Sequence, residues 1–529
     1  MMALIKKYYL PAALFILTIA VSSVFSMLGV DPHHHGIMFK PALDVAHGQM
    51  LFRDTFTQYG ALTTLLQAWA LQIFGDYLVV IQIETAFFYA LISLCLYYLW
   101  LNILPQWLTV VSVLIWLLLA PYYYSAIIFQ PWSSVPALFF QLFSLILVLR
   151  AFAEQNRIML ILAGSVAVLT FWCRQPVGVF HCASILLFLA TTPLFNGQPW
   201  KSAMTDCAFF FSGIVAASVP FFIWLGLNDA FHDMFIQSIK AAFFIGTTTY
   251  QSSSHNLFIN LLMALAAYQA SISHFAALWF LFPFVCLCLL AIGSVMRWCN
   301  RDSIKKYLRL YGLLLISLAS WMQYYPVPCL RHLYWAATPM IGIFSYCVWQ
   351  LSKFCIAEKK GLQILMVSLI LILVFKNEII NHIYNGSVKI SIFKTKIEEP
   401  QVLRGMYTTP AWAKKYKTIS GSLQNNLAKN PKAHLVNMTP DALYLTFIGP
   451  QKNFHPLYIT WESHNNFIYP DYLKRRDEFI NKTRPLLLSY EGKDIPGWSC
   501  IDVFDIIDEQ ERSHIHGRKL ALYQFTSRK

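Results

Sequence analysis

The chain has 529 residues, 57% of them hydrophobic and only 12% charged, about half the ~25% charged fraction of soluble globular proteins. That composition excludes an ordinary soluble domain and points to a membrane protein. The net charge of +14 is scattered between long uncharged apolar runs and not gathered on one amphipathic element, so it reads as a topology signal and argues against nucleic acid as a partner.

Lys6 and Lys7 precede about 23 uncharged residues in MMALIKKYYLPAALFILTIAVSSVFSMLGV. That run exceeds the ~7–15 apolar residues of a secretory signal, so a retained first span is expected. With the first near 8–30, further spans are expected near 77–100, 107–126, 133–150, 158–173, 177–194, 205–226, 274–296, 310–325, 333–351 and 361–376, about eleven in all. If Lys6 and Lys7 are cytoplasmic, LNILPQ, RAFAEQNR, NGQPWKS, RWCNRDSIKKYLR and SKFCIAEKKG fall on the same side, and four of these five loops carry Lys or Arg. The alternate loops are longer and richer in Asp, His, Tyr and Gln. This count places the N-terminus in the cytoplasm and the tail outside.

Near residue 385 the apolar runs give way to mixed polar sequence, so a transmembrane part over 1–385 and a soluble part over 386–529 are expected. In the tail, AWAKKYKTISGSLQNNLAKNP has helical spacing and stops at Asn-Pro, while AHLVNM, RPLLLSY and KLALYQF are short strand candidates. TPDALYLTFIG, with Thr-Pro at its start and Gly at its end, and PDYLKRRDEFINKTR read as helices. The expected fold is mainly α: a polytopic membrane helix bundle with a small outward-facing α/β C-terminal domain. Of eleven cysteines, Cys95, Cys173, Cys182, Cys207, Cys286, Cys288 and Cys347 lie in apolar runs, where a thiol packs as a small hydrophobe. Cys329 and Cys500 are both expected outside and could pair, although spacing alone does not show it. NGS, NMT and NKT match the N-glycosylation pattern no more often than chance allows.

The first outer loop, 31–76, holds Asp31, His33, His34, His35, Lys40, Asp44, His47, Arg53, Asp54 and Tyr59. Within it FKPALDVAHGQMLF alternates at helical intervals, which suggests a helix along the membrane surface. An acidic residue straight after the first span, a helix ending in G..L.RD and QYG, and then a second span resemble the first outer loop of the GT-C superfamily of integral-membrane glycosyltransferases. The resemblance implies a polyprenyl-phosphate-linked sugar as donor, bound at the outer face, and an acidic catalytic residue in this loop. It makes Asp31 the general base and Asp54 a second acidic group. Many GT-C loops carry two neighbouring acidic residues at the first position, whereas here Asp31 is followed by Pro32 and three histidines.

Moving a sugar from a lipid phosphate to a hydroxyl needs a base near the acceptor and cations around the departing phosphate. For the phosphate, the candidates are Lys40, Arg174 in FWCRQPVG, and Arg331 with His332 in QYYPVPCLRHLYW. The last turn, with its prolines and aromatics, resembles the late outer loops of GT-C enzymes. The other reading of each Arg is an interface anchor with no ligand. His33 and His35 point the same way on an extended segment and could share a divalent metal with Asp31. Alternatively His33, His34, His35 and Tyr59 hydrogen-bond phosphate or sugar, or the loop is merely polar. Glu84 lies inside the second span, where a carboxyl usually requires a partner.

The expected activity is transfer of a sugar from a polyprenyl-phosphate carrier to a lipid-linked or cell-surface glycan acceptor, at the outer face of a bacterial inner membrane. Two other readings stand beside it. One is an O-antigen ligase or polymerase that relies on Arg331 and His332. The other is a non-enzymatic lipid or solute transporter, which should show paired repeats and charges within several spans.

Overall fold

The computed structural model describes residues 2–120, 130–242, 244, 285–294, 304–324, 330–356, 359–429, 434–459, 468–491, 495–506 and 519–526. Nine helices open the chain: α1 (Met2–Ser26), α2 (His34–Ala46), α3 (Ala61–Phe74), α4 (Leu78–Leu101), α5 (Gln106–Leu118), α6 (Ser134–Glu154), α7 (Ile158–Cys173), α8 (Gln175–Asn196) and α9 (Trp200–Leu227). Among the described residues, α1, α4, α6, α8, α9 and the first part of the helix Lys360–Ile392 are long and apolar enough to cross a membrane. The protein is an integral membrane protein. Shorter helices, α5, α7, Val285–Ser294, Ile304–Ser320 and Met340–Cys355, fall where other spans are expected. Most of the expected span near 274–296 lies outside the described residues.

The helices pack in a bundle in which α7 touches α6, α8 and α9, and α4 touches α1 and α6. A methyl group on Gly164 would stand 1.9 Å from the Phe210 carbonyl oxygen, and one on Gly213 2.0 Å from that of Ile161. The backbones of α7 and α9 therefore meet directly. Small residues make such contact possible in a bilayer, where close packing and not water exclusion joins helices.

The loop 31–76 departs from expectation twice. Helix α2 does not lie along a surface: His34 to Asp44 are buried without interruption. Helices α3 and α4 cover one side of it, and the 3-10 turn Ala442–Ile448 of the C-terminal domain covers the other. Residues 61–74, expected as loop, form α3, which starts after an extended Gly60 and stops at Gly75, φ +97°.

The helix Lys360–Ile392 has 33 residues, about 50 Å at 1.5 Å per residue, against a hydrocarbon thickness of about 30 Å. It carries the chain clear of the bilayer. Two short strands follow, β1 (Thr395–Lys396) and β2 (Tyr407–Thr408). Tyr407 donates its N–H to the Met27 carbonyl at 2.8 Å and accepts from Gly29 N–H at 2.7 Å, stitching β2 to the exit of α1. The main sheet has β3 (Leu435–Asn437), β4 (Leu486–Tyr490), β5 (Trp498–Asp505) and β6 (Lys519–Phe525) in the order β3-β4-β6-β5. β3 and β4 are parallel, joined through the helix Tyr472–Thr483, and β6 is antiparallel to both of its neighbours. Strands β3, β4 and β6 occupy the three expected segments. Strand β5 was not expected, because Asp502 and Asp505 interrupt its apolar residues and its register shifts between Cys500 and Asp502. Cys500 is an exposed free thiol; Cys329 lies outside the described residues.

Candidate active site

After α1 the chain turns at Gly29, φ +79°, and delivers Asp31 to the start of α2. An Asp-Pro pair favours a turn there. Asp31 Oδ1 accepts the backbone N–H groups of His33 and His34, both at 3.0 Å, in the manner of a helix cap. Its Oδ2 meets His34 Nδ1 at 2.6 Å. The residue is only 3% exposed, and three N–H donors compensate the burial of its charge. A carboxylate only accepts, so the proton of this contact resides on His34 Nδ1.

The three histidines have three different settings. His33 donates from Nδ1 to the Pro440 carbonyl at 2.9 Å, reaching into the C-terminal domain. His35 Nδ1 accepts the Asp31 backbone N–H at 3.0 Å. Its Nε2 therefore carries the proton, and the Gln82 amide 2.7 Å away must turn its oxygen toward it. Burial pushes His35 down to about 4, overcoming the opposite pull of Asp31, and the ring is neutral. His33 and His35 thus face separate partners and do not share a metal. Among the described residues no group of three or more His, Cys, Asp or Glu side chains is placed to hold a metal ion.

From His34 a series of aromatic contacts leads to a buried cation. The His34 ring meets Trp132 edge-on at 5.3 Å, and Trp132 meets Tyr59 edge-on at 6.0 Å. The Arg174 guanidinium stands 6.0 Å over the Tyr59 ring. Arg174 is 4% exposed at the head of α8 and donates to the Gln323 carbonyl at 3.0 Å. Nearby in this wall, the hydroxyls of Ser133 and Ser134 and the side-chain amide of Gln323 are buried with no hydrogen-bond partner among the described residues, a state that a polar ligand relieves. His332 packs on α4 through Trp335. Its ring lies 5.8 Å from that of Trp335, which donates to Tyr89 at 3.0 Å. Arg331 lies in the helix Leu330–Ala337, its side chain outside the described residues.

Two expected residues belong elsewhere. Lys40 is fully buried and pairs with Asp44, donates to Asn453 Oδ1 at 3.0 Å and sits over the Tyr458 ring at 5.0 Å. Asp44 also accepts from Thr55 at 2.7 Å and Asn453 at 3.0 Å. Burial pulls Lys40 down while Asp44 pulls it up. The ammonium is committed to this network and does not face a phosphate. Asp54 lies in the same part of the loop, bonded to Arg53 at 2.9 and 2.8 Å and to Met50 N–H at 2.8 Å. The Arg53 hydrogen bonds hold its carboxyl below the usual range. From His34 to Asp44 is ten residues of helix, about 15 Å, so Asp54 and Asp31 serve opposite ends of α2 and not one reaction centre.

The second carboxylate beside Asp31 comes from the far end of the chain. Asp441 is 2% exposed and accepts from Tyr490 OH at 3.2 Å. Its neighbours bracket the first loop: Pro440 bonds His33, and Leu443 N–H donates to the Pro32 carbonyl at 3.2 Å. Burial, then the Asp31 charge, push Asp441 up from 3.8 to about 7. An acid bound more tightly to its proton when folded stabilises the fold fully below its unfolded pKa and loses that stabilisation as pH rises through the folded one. Asp441→Asn removes the titration and keeps the shape. The variant should match wild type near pH 4 and melt at higher temperature than wild type at pH 8; coincident melts at pH 8 would reject the buried setting of Asp441.

The fold is shared with solved structures. The Archaeoglobus fulgidus oligosaccharyltransferase tethered with an acceptor peptide is similar with a TM-score of 0.52 at 11% identity, over 92% of this chain and 70% of that chain. Its apo form gives 0.52 at 13% identity over the same shares. ArnT from Cupriavidus metallidurans bound to undecaprenyl phosphate aligns over 98% of both chains at 11% identity, more loosely, with a TM-score of 0.34. No family model and no curated protein matches the chain. The fold is that of the Archaeoglobus fulgidus oligosaccharyltransferase structures.

Proposed function

We propose that this protein is a membrane glycosyltransferase that takes a sugar from a polyprenyl-phosphate carrier and passes it to a hydroxyl of a lipid-linked or cell-surface glycan. The observation that carries the reading is the aromatic wall of Trp132 and Tyr59, with the Asp31–His34 pair at one end and the buried Arg174 at the other. A proton acceptor for the attacking hydroxyl and a desolvated cation for the leaving phosphate are the two groups that the reaction needs. The fold shared with an oligosaccharyltransferase supports glycosyl transfer. Lys6 and Lys7 favour a cytoplasmic N-terminus, with Asp31 and the C-terminal domain on the outer side of a bacterial inner membrane.

Membrane vesicles carrying the protein and offered radiolabelled polyprenyl-phosphate hexoses and pentoses should transfer label to endogenous glycan. Arg174→Ala should lower kcat by roughly 10²–10³, the usual loss on removing one charge-stabilising group, at unchanged protein level. Vesicles that transfer none of these sugars would reject the reading.

A further inference from the structure

We infer that the end of the bundle opposite Asp31 holds a second site, a cavity that takes the zwitterionic headgroup of an aminophospholipid. Helix α6 starts two residues after Trp132, beside the candidate active site, and its 21 residues carry the chain about 30 Å away. There the chain turns twice: through Gln155, φ +53°, between α6 and α7, and through Gly197, φ +71°, between α8 and α9. The backbones of α7 and α9 meet at Gly164 and Gly213, which holds the two turns side by side. Between them lies a cavity of about 170 Å³. A cavity of roughly 150 Å³ takes a molecule the size of benzene, so this one has room for a headgroup and not for a whole lipid.

Both signs of charge line it. Arg157, at the head of α7, donates from Nε to Asp206 Oδ1 at 2.8 Å and from Nη2 to Ser202 Oγ at 3.0 Å. Asp206 is only 6% exposed, yet its second oxygen accepts from none of the described residues. A carboxylate so enclosed, with one oxygen unclaimed on a cavity wall, calls for a cation that donates N–H. On the other side of the balance are three donors. Arg157 Nη1 is committed to no described residue, the Ser202 hydroxyl accepts from Arg157 and still has its own proton to give, and Asn156 accepts Ile158 N–H through its oxygen at 3.0 Å and keeps its NH2. Donors for an anion and one acceptor for an ammonium, within so small a space, complement a phosphate joined to an amine by a short linker.

The setting makes that compound a lipid. Phe152 and Leu160 give the cavity an apolar wall, and Trp200, 56% exposed in the first turn of α9, stands where indole rings sit at headgroup level. Helices α6, α8 and α9, whose ends frame the cavity, are each long and apolar enough to cross a bilayer, so those ends lie at its surface. Among common headgroups ethanolamine meets both demands. Choline has no N–H for Asp206, and a glycerol headgroup has no cation.

The test uses full-length protein, delipidated in detergent and titrated with phosphatidylethanolamine, phosphatidylcholine, phosphatidylglycerol or soluble phosphoethanolamine. A ligand bound only by the folded state raises the melting temperature as its concentration rises. Phosphatidylethanolamine should do so saturably, and the other three should not at the same concentrations. Ser202→Ala, which keeps the Arg157–Asp206 pair, should weaken phosphatidylethanolamine about 10–100-fold, the value of one hydrogen bond to a charged group. Asp206→Asn should lose the preference for ethanolamine over choline. Native mass spectrometry reads the retained lipid directly, whatever either variant does to the melt: phosphatidylethanolamine should stay on wild type and leave Ser202→Ala. Equal shifts with all three lipids, or phosphatidylethanolamine binding that survives both substitutions, overturn the site. An equal shift with soluble phosphoethanolamine overturns a lipid as its occupant. None of these outcomes depends on sugar transfer.

Discussion

Lys40→Ala should destabilise the folded protein by about 3–5 kcal/mol, the cost of leaving a buried charge without its partner. Lys40 and Asp44 are both enclosed, and the substitution strands the Asp44 carboxylate with only neutral donors from Thr55, Gln49 and Asn453. Two of the groups in this network come from opposite ends of the chain, so the loss falls on the contact between α2 and the segment around Asn453. Thermal melts of the detergent-solubilised protein give the size of the effect. Replacing both charges, with Lys40→Met and Asp44→Leu, should restore much of the loss, because an apolar pair of similar volume removes the desolvation penalty instead of exposing it. An unchanged melt for Lys40→Ala would mean that the ammonium reaches water.

Gly36→Ala should open the join between the first loop and the C-terminal domain. A methyl at Gly36 would stand 2.3 Å from Leu443 N and 2.8 Å from Ala442 C. Both are backbone atoms, so no rotamer change relieves the overlap, and overpacking of this kind costs about 1–3 kcal/mol or more. The effect on activity should exceed the effect on stability. Ala442 and Leu443 adjoin Asp441 and Pro440, and the displaced backbone carries the support of His33 away from the Asp31–His34 pair. A shift of about 1 Å at such a site costs on the order of 10²-fold in rate. Faster protease cleavage of the C-terminal domain together with that loss would show the join opening; wild-type rates in the transfer assay would show that the site does not depend on it.

The membrane class, most of the span positions and the place of Asp31 were legible in the sequence, each for a local reason. Hydrocarbon thickness imposes a length on every span, and Asp31 stands directly after the first one. Helix α3 escaped because its 14 residues fall short of that length. Lys40 was misread because a cation in a loop looks solvated until the domain that buries it is seen; nothing within ten residues of Lys40 announces Asn453 or Tyr458. Asp441 was hidden for the same reason. TPDALYLTFIG carries a legible short helix, but its partner is the sequence that begins at Pro32. The histidines could not be told apart by spacing, since what separates them is one carbonyl, one amide and one carboxylate contributed from three places.

The hydrogen bonds between Tyr407 and the backbone at Met27 and Gly29, with the seat of α2 on the turn Ala442–Ile448, have a consequence for biosynthesis. The ribosome delivers Asp31 and His33 early, but Pro440, which bonds His33, and Asp441, which feels the Asp31 charge, emerge only when most of the chain has been made. A nascent or prematurely terminated chain holds the first two without the second. The site is therefore completed late, when the tail docks onto residues made at the start.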